Sequence, residues 1–221
     1  MHRGVLILAL LLAASLARPP VVQAAGQARG QAGRFDYYLL ALSWSADWCR
    51  LTGDARRDPQ CDAGRGLGFT LHGLWPQYET GYPLDCPTVA PPPTRRQTAA
   101  MADIMGGAGL AWHEWQKHGR CTGLSAQAYF ATARAAYDSI ALPPVFRRIS
   151  VAVRLRPSVV VDAFLEANPH LGRDNLMVTC DQGLIQEVRI CLTKALQPRP
   201  CSTDALAGQC RLPAAAMEPL R

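Results

Sequence analysis

Eight cysteines are the feature of this 221-residue sequence that most restricts its possible folds. In an exported chain, an even number of cysteines predicts disulfide bonds, here four, that join distant segments covalently. Eight cysteines allow about 105 pairings, and their spacing does not choose among them. No two form the C-x-x-C pair of a zinc ribbon, which favours disulfides over a metal site. The cysteines are Cys49, Cys61, Cys86, Cys121, Cys180, Cys191, Cys201 and Cys210.

The N-terminal segment has the layout of a secretory signal peptide. A positive start precedes an apolar run at residues 5–12, and small residues follow near Ala24 and Ala25. We therefore assign residues 1–24 to a signal peptide and residues 25–221 to one mature domain. The apolar run is shorter than the ~20 residues of a spanning helix, so we expect no membrane contact after cleavage. An N-terminal membrane anchor is the alternative interpretation.

The predicted location is periplasmic or extracellular, and the composition is typical of a bacterial protein. The chain carries 23 basic and 17 acidic residues, and loss of Arg3 and Arg18 with the signal lowers the formal charge from +6 to +4. This mild surplus suits a polyanionic partner but is shared by many unrelated proteins. Arginine outnumbers lysine 21 to 2, which makes Lys117 a conspicuous residue. We expect a monomer.

Periodicity and turn residues predict strands intermixed with helices. Strands are predicted at residues 35–43, 67–74, 176–179 and 184–192, the last two forming a hairpin. Helices are predicted at residues 96–105, at residues 112–118, from an N-cap at Ser125 to about residue 140, and after Ser158. Residues 49–68 and 81–93 are predicted loops. The fold is predicted to be α+β, a single domain with a central, mostly antiparallel sheet flanked by helices and stapled by disulfides.

Two short clusters hold the residues that could carry chemistry. The first, F-T-L-H-G-L-W-P at residues 69–76, places His72 between a strand and a turn at Gly73. The second, W-H-E-W-Q-K-H-G-R-C at residues 112–121, is predicted to be helical as far as Gly119. The two clusters are about 40 residues apart, so any shared site depends on the fold.

The second cluster is predicted to present three different functional groups together. Residues three and four apart share a helical face, which groups Glu114, Lys117 and His118, with His113 beside Lys117. Such a set suits cleavage of RNA, whose 2′-hydroxyl is an internal nucleophile. One imidazole accepts that proton, a second donates a proton to the leaving oxygen, and the ammonium stabilises the charge on the phosphate. With His72 as the second imidazole, neither a metal nor another cofactor is required.

Each of these residues also has a structural interpretation. A histidine at a strand end is more often structural than catalytic, and Glu114 with Lys117 could be an ordinary exposed pair. The tryptophans of the two clusters could simply belong to the core. A zinc protease is disfavoured because H-E-x-x-x-H sets His113 and His118 about 140° apart around a helix.

At these two clusters the chain resembles the ribonuclease T2 family of exported RNases. The family's H-G-L-W-P and H-E-W-x-K-H-G-x-C elements are both present, in order, and the opening F-D-Y-Y-L-L-A-L-S-W-S and the cysteine placement also fit. The resemblance implies an endoribonuclease of single-stranded RNA that leaves 2′,3′-cyclic phosphate ends, sometimes slowly hydrolysed to 3′-phosphates. It also implies four disulfides, namely Cys49–Cys61, Cys86–Cys121, Cys180–Cys210 and Cys191–Cys201.

The resemblance further implies a role for each site residue. His118 would be the general base and His72 the general acid. Glu114 and Lys117 would stabilise the pentacovalent phosphate, His113 would contact phosphate, and Trp75 would line the pocket for the upstream base.

One position departs from the family pattern. Many members carry an acidic residue or Asn after the W-P pair, whereas this chain has Gln77, so we expect low base specificity. The alternative function is a catalytically silent, secreted RNA-binding or effector module on the same fold.

Overall fold

The structure, a computed structural model, describes residues 30–221. The predicted signal peptide lies outside these residues and stays a prediction. The strands are β1 (Tyr37–Trp44), β2 (Phe69–Gln77), β3 (Val153–Leu155), β4 (Leu176–Asp181), β5 (Leu184–Leu192) and β6 (Ala215–Met217). The α-helices are α1 (Ser45–Trp48), α2 (Asp54–Arg56), α3 (Arg95–Ala99), α4 (Ala102–Met105), α5 (Ala108–Lys117), α6 (Ala126–Asp138), α7 (Pro157–Ala167) and α8 (Thr203–Ala207).

The strands of the described region form one six-stranded sheet. Its path is β2-β1-β5-β6-β3, and β4 also pairs with β5. Every pairing is antiparallel except the contact of β5 with β6, where Leu184 meets Ala216. The predicted β4–β5 hairpin is present, and its Gln182–Gly183 turn has φ of 46° and 83°, the positive values that a type I′ turn requires. The predicted α+β fold is confirmed.

The two faces of the sheet have different surroundings. Successive side chains of β1 point to opposite faces, and one set enters the main core beneath α5, α6 and α7. Residues of this core include Leu40, Leu42, Trp115, Tyr129 and Phe164. The other face carries a smaller cluster that includes Tyr37, Leu39, Trp75 and Cys191. This second face is the one that bears the candidate site.

A β-bulge interrupts β2 at His72. Ala41 pairs with Gly73 and Leu42 pairs with Leu71, so His72 is the extra residue between two regular pairs. A bulge bends its strand and re-aims the local side chains. Leu71 before the bulge enters the main core, and His72 is directed towards the other face.

A second bulge interrupts β5 one residue before Glu187. Thr179 pairs with Glu187 and Cys180 pairs with Ile185, which leaves Gln186 as the extra residue. Ile185 lies in the main core. Val188, Ile190 and Leu192 lie in the main core too, so alternation along this end of β5 sends Glu187 to the site face, and the bulge at Gln186 is what returns Ile185 to the core.

Disulfides hold the loops against this framework. The bonds are Cys49–Cys61, Cys86–Cys121, Cys180–Cys210 and Cys191–Cys201, the same pairs that the family resemblance implied. The second bond ties the 3₁₀ turn Gly119–Thr122, which follows α5, to the loop after β2. Among residues 30–221, no helix combines the length and the apolar character that crossing a bilayer requires.

Two local predictions were wrong. The helix predicted at residues 96–105 is divided into α3 and α4, because Ala100 and Met101 have ψ of −10° and −7°, closer to a turn than to an α-helix. The region predicted as loop at residues 49–68 begins with helical turns, including the π-turn Cys49–Gly53 and the 3₁₀ turn Pro59–Cys61. The N-cap predicted at Ser125 is confirmed, since its hydroxyl accepts a hydrogen bond from the Ala128 N–H at 3.2 Å.

Candidate active site

The two sequence clusters meet at the second face of the sheet, the one that carries the smaller apolar cluster. Strand β2 brings His72 and Trp75, and the C-terminal end of α5 brings Glu114, Lys117 and His118. All five residues line one cavity of about 390 Å³, here called the Trp75 cavity. The indole of Trp75 lies between the imidazoles, with ring centroids 5.1 Å from His72 and 5.2 Å from His118.

His72 lies between two carboxylates. Its Nδ1 contacts Oε1 of Glu187, and its Nε2 is 3.7 Å from Oε1 of Glu114. Burial lowers the pKa of His72, but the hydrogen bond and charge of Glu187, with the charge of Glu114, outweigh burial and raise it above the usual value. This imidazole is therefore biased towards its protonated form.

The buried carboxylate of Glu114 accepts a short hydrogen bond. Its Oε2 accepts a hydrogen bond of 2.6 Å from Nε1 of Trp75, and the residue is 1% exposed. Burial raises the pKa of Glu114, while the charge of His72 and the indole N–H oppose that rise. Gly73 makes this approach possible, because a Cβ there would overlap both the Glu114 carboxylate and the Trp75 nitrogen.

His118 has the opposite electrostatic setting to His72. Its backbone N–H still bonds to the Glu114 carbonyl, so the residue stays close to the end of α5, but its φ of −121° is no longer helical. Burial, reinforced by the charges of Lys117 and His72, lowers its pKa to about 3. Within the described residues its Nδ1 is buried without a hydrogen-bond partner. The ring is therefore neutral over most of the pH range, and Nε2 is the nitrogen left for the cavity.

His113 opens onto a neighbouring cavity. This space of about 410 Å³, here called the His113 cavity, is lined by His72, His113, Ser43, Thr70 and Gln60 among others, but not by His118. His113 itself is exposed. Partial desolvation of its ring and the charge of Lys117 lower its pKa. His72 thus borders both cavities and stands at the boundary between them.

Sequence reasoning did not single out several residues of the Trp75 cavity. Besides Glu187 they include Arg189, whose guanidinium carbon is 5.2 Å from the centre of the Trp75 ring, and Tyr82, whose ring is 6.3 Å from that of His118. The sequence signal that could have indicated Glu187 and Arg189 is a pair of charged residues inside a mostly apolar strand.

Gln77 lines the same cavity at the end of β2. The residue is buried, and its side-chain Nε2 donates to the Pro76 carbonyl at 3.1 Å. An amide side chain therefore lines the cavity at the position after the W-P pair. In the described part of the chain, no group of three or more His, Cys, Asp or Glu side chains is arranged to hold a metal ion.

Comparison with known proteins gives a consistent result. A profile of the Ribonuclease T2 family matches residues 35–201. A ribonuclease of Aeromonas hydrophila is 46% identical over 125 residues, which cover 57% of this chain and 53% of the relative. A probable ribonuclease of Haemophilus influenzae is 35% identical over 120 residues, covering 49% and 44%. The chain thus spans about half the length of these relatives.

Among solved structures, the chain is similar to trichomaglin, described as an S-like ribonuclease. The TM-score is 0.67 at 22% identity, and the match covers 85% of this chain and all of that one. At this identity the likeness shows a common fold.

Proposed function

Because the chain belongs to the ribonuclease T2 family, we propose that it is an endoribonuclease that cleaves single-stranded RNA without a metal. The observation that carries this proposal is the pair of imidazoles, His72 and His118, that border one cavity with oppositely displaced pKa values. Such opposed displacements mark an acid and a base at one site.

The neutral imidazole of His118 is the proposed general base. It accepts the proton of the 2′-hydroxyl, and the freed oxygen attacks the adjacent phosphorus to form a pentacovalent phosphate. Its lowered pKa keeps it unprotonated and ready to accept. DNA should resist, because it lacks this hydroxyl.

The protonated imidazole of His72 is the proposed general acid. It donates its proton to the departing 5′-oxygen as the bond from phosphorus to that oxygen breaks, which leaves a 2′,3′-cyclic phosphate. Slow attack of water would open this ring to a 3′-phosphate. A proton-transfer group of this kind typically contributes roughly 10²- to 10⁴-fold in rate.

The remaining predicted residues have supporting roles in the proposal. The Lys117 ammonium stabilises negative charge on the phosphate, together with Glu114, which is held in place by Trp75. His113, at the edge of the adjoining cavity, contacts a phosphate oxygen from that side.

The two cavities suggest how RNA lies across the site. With the scissile phosphate beside His72, the upstream base would stack on Trp75 and the downstream nucleoside would enter the His113 cavity. Stacking on an aromatic ring accepts every base, and Gln77 departs from the acidic residue or Asn that the family resemblance leads us to expect at this position. Low base specificity follows from this arrangement.

Export is part of the same proposal. Four disulfides are typical of a chain that folds in an oxidising compartment, which supports a periplasmic or extracellular location. The protein is proposed to act as a monomer.

The decisive experiment uses oligoribonucleotides that each carry one 2′-deoxy nucleotide. The mature protein is incubated with them in EDTA, and product ends are identified by mass. Cleavage should stop at the phosphate after the deoxy position and continue elsewhere with cyclic phosphate ends. His118→Ala should abolish cleavage, and His170→Ala, a change at an exposed histidine outside the site, should not.

Three results would count against the proposal. Cleavage at the deoxy position would exclude the internal nucleophile, and a large loss of activity in EDTA would indicate a metal. Binding of RNA without any cleavage would favour the silent RNA-binding module instead.

A further inference from the structure

We propose that Glu187 is a positioning residue for His72, holding the imidazole with Nδ1 towards β5 and Nε2 towards the scissile phosphate, as a proton donor. This inference rests on the proposed ribonuclease activity and adds to it a residue from a strand that neither sequence cluster includes.

The contacts of the ring give it one orientation. Nδ1 of His72 contacts Oε1 of Glu187, which leaves Nε2 directed towards Glu114 and the Trp75 cavity. An Nδ1–H held by a carboxylate fixes the tautomer of the neutral ring, and Nε2 is then the atom that carries the transferable proton. After Nε2 gives its proton to the leaving oxygen, the bond from Nδ1 to Glu187 remains.

The surroundings of Glu187 stabilise its ionised carboxylate. It is 1% exposed, and its Oε2 accepts a hydrogen bond of 2.7 Å from Nε of Arg189. The Ser43 hydroxyl donates to its Oε1 at 3.4 Å. Burial raises the pKa of Glu187, but the hydrogen bond and charge of His72, with Arg189, bring it down to about 2.

Several other charges face His72, and they do not replace Glu187. Those from α5 and its end are Glu114, Lys117, His113 and His118, and those from β5 are Glu187 and Arg189. The four cationic groups, Lys117, His113, His118 and Arg189, oppose protonation of His72 wherever they are charged. Glu114 favours it, but this carboxylate lies 3.7 Å away and its other oxygen is occupied by the Trp75 indole. Among residues 30–221, only Glu187 contacts Nδ1, the ring nitrogen that the substrate does not need.

The test compares Glu187→Gln with wild type, and uses Glu166→Gln as the matched control at an exposed site outside the cavity. Glutamine preserves volume and a hydrogen-bond acceptor for Nδ1 but removes the charge. Loss of an opposite charge at this range lowers a histidine pKa by about 1–3, which NMR titration of the His72 ring measures directly. Glu187→Asp, which retains the charge, should recover part of the difference.

Kinetics should follow the titration. The alkaline limb of the kcat/KM profile of Glu187→Gln should move to lower pH by the same amount as the His72 pKa. At pH 7, kcat/KM should fall about tenfold for each pH unit by which that pKa lies below 7. KM should change less than kcat, because Glu187 acts through His72 and not on the RNA.

The titration requires no RNA, so it separates this inference from the proposed activity. An unchanged His72 pKa in Glu187→Gln, or a variant that loses only thermal stability while its pH profile stays in place, overturns the positioning role. The wild-type protein gives an independent check by ¹⁵N chemical shifts. Neutral His72 should carry its proton on Nδ1, and a proton on Nε2 would overturn the inference even if Glu187→Gln did not fold. Absence of RNA cleavage by wild type would count against the ribonuclease proposal alone.

Discussion

Replacing Asp47 by asparagine should change how stability depends on pH. Asp47 lies in α1, directly after β1, and is fully buried, and its Oδ1 accepts a hydrogen bond of 2.7 Å from the Glu218 N–H. Its Oδ2 has no hydrogen-bond partner in the described part of the chain. Burial raises the pKa of this carboxyl from 3.8 to about 7, against the opposing effect of the Glu218 N–H. Between these two values the folded state therefore binds a proton that the unfolded state does not.

The size of the effect follows from linkage. Because the folded protein holds the extra proton, stability falls as pH rises towards 7 and levels off above it. Integrated from pH 5 to pH 8 at about 1.36 kcal/mol per pH unit, the loss from Asp47 is about 2–3 kcal/mol. Asp47→Asn removes this loss. In this variant an amide nitrogen takes the place of Oδ2 and finds no hydrogen-bond acceptor there, which lowers the free energy of unfolding by about 1–3 kcal/mol at every pH.

Urea unfolding at pH 5 and pH 8 measures the prediction. The free energy of unfolding of Asp47→Asn minus that of wild type should be about 2–3 kcal/mol more favourable at pH 8 than at pH 5. Taking the difference between the two proteins removes the contributions of the other titrating groups. Asp62→Asn, at an exposed position, should show no such dependence. Equal differences at both pH values would mean that folded Asp47 is ionised throughout, and the reasoning would be refuted.

Three further predictions concern the site. Gly73→Ala should separate the Trp75 indole from Glu114 and break their hydrogen bond. Because a hydrogen bond to a charged group is worth about 1.5–3 kcal/mol, kcat/KM should fall at least tenfold. Unchanged kinetics with RNA would contradict this. Removing the Cys86–Cys121 disulfide with a double alanine variant should lower the free energy of unfolding by about 2–5 kcal/mol and Tm by about 5–15 °C in calorimetry. An unchanged Tm would show that this bond at the end of α5 is dispensable. In wild type, kcat/KM should rise with pH around pH 3, where His118 loses its proton. It should fall again only above the ordinary histidine range, where His72 loses its proton. A profile that is low at pH 5 and highest at pH 9 would reverse the two assignments.

Much of the fold and the candidate site could be predicted because the relevant signals are local. Helical periodicity sets the spacing of Glu114 and Lys117, with His118 directly after the helix end, and the turn residues set the β4–β5 hairpin. The fold then brings these α5 residues and His72 to one cavity.

Glu187 was not predicted as a site residue because it lies in neither cluster and its partner His72 is 115 residues away in the sequence. Alternation from the core residue Val188 assigns Glu187 to the site face, whereas alternation from Ile185 assigns it to the core, and only the unpaired Gln186 reconciles the two. Irregularities of this kind arise from the pairing of two strands, which a single stretch of sequence does not contain. The same holds for His72, whose bulge exists only against β1.

The acid and base assignments can be separated by a substrate in which sulfur replaces the bridging 5′-oxygen of one phosphodiester. A thiolate, whose conjugate acid has a pKa near 8.5, departs without receiving a proton, whereas an alkoxide does not. His72→Ala should therefore cleave the sulfur substrate at close to the wild-type rate while failing on the oxygen substrate. His118→Ala should fail on both. If sulfur rescued His118→Ala, or failed to rescue His72→Ala, the two histidines would not have the roles described.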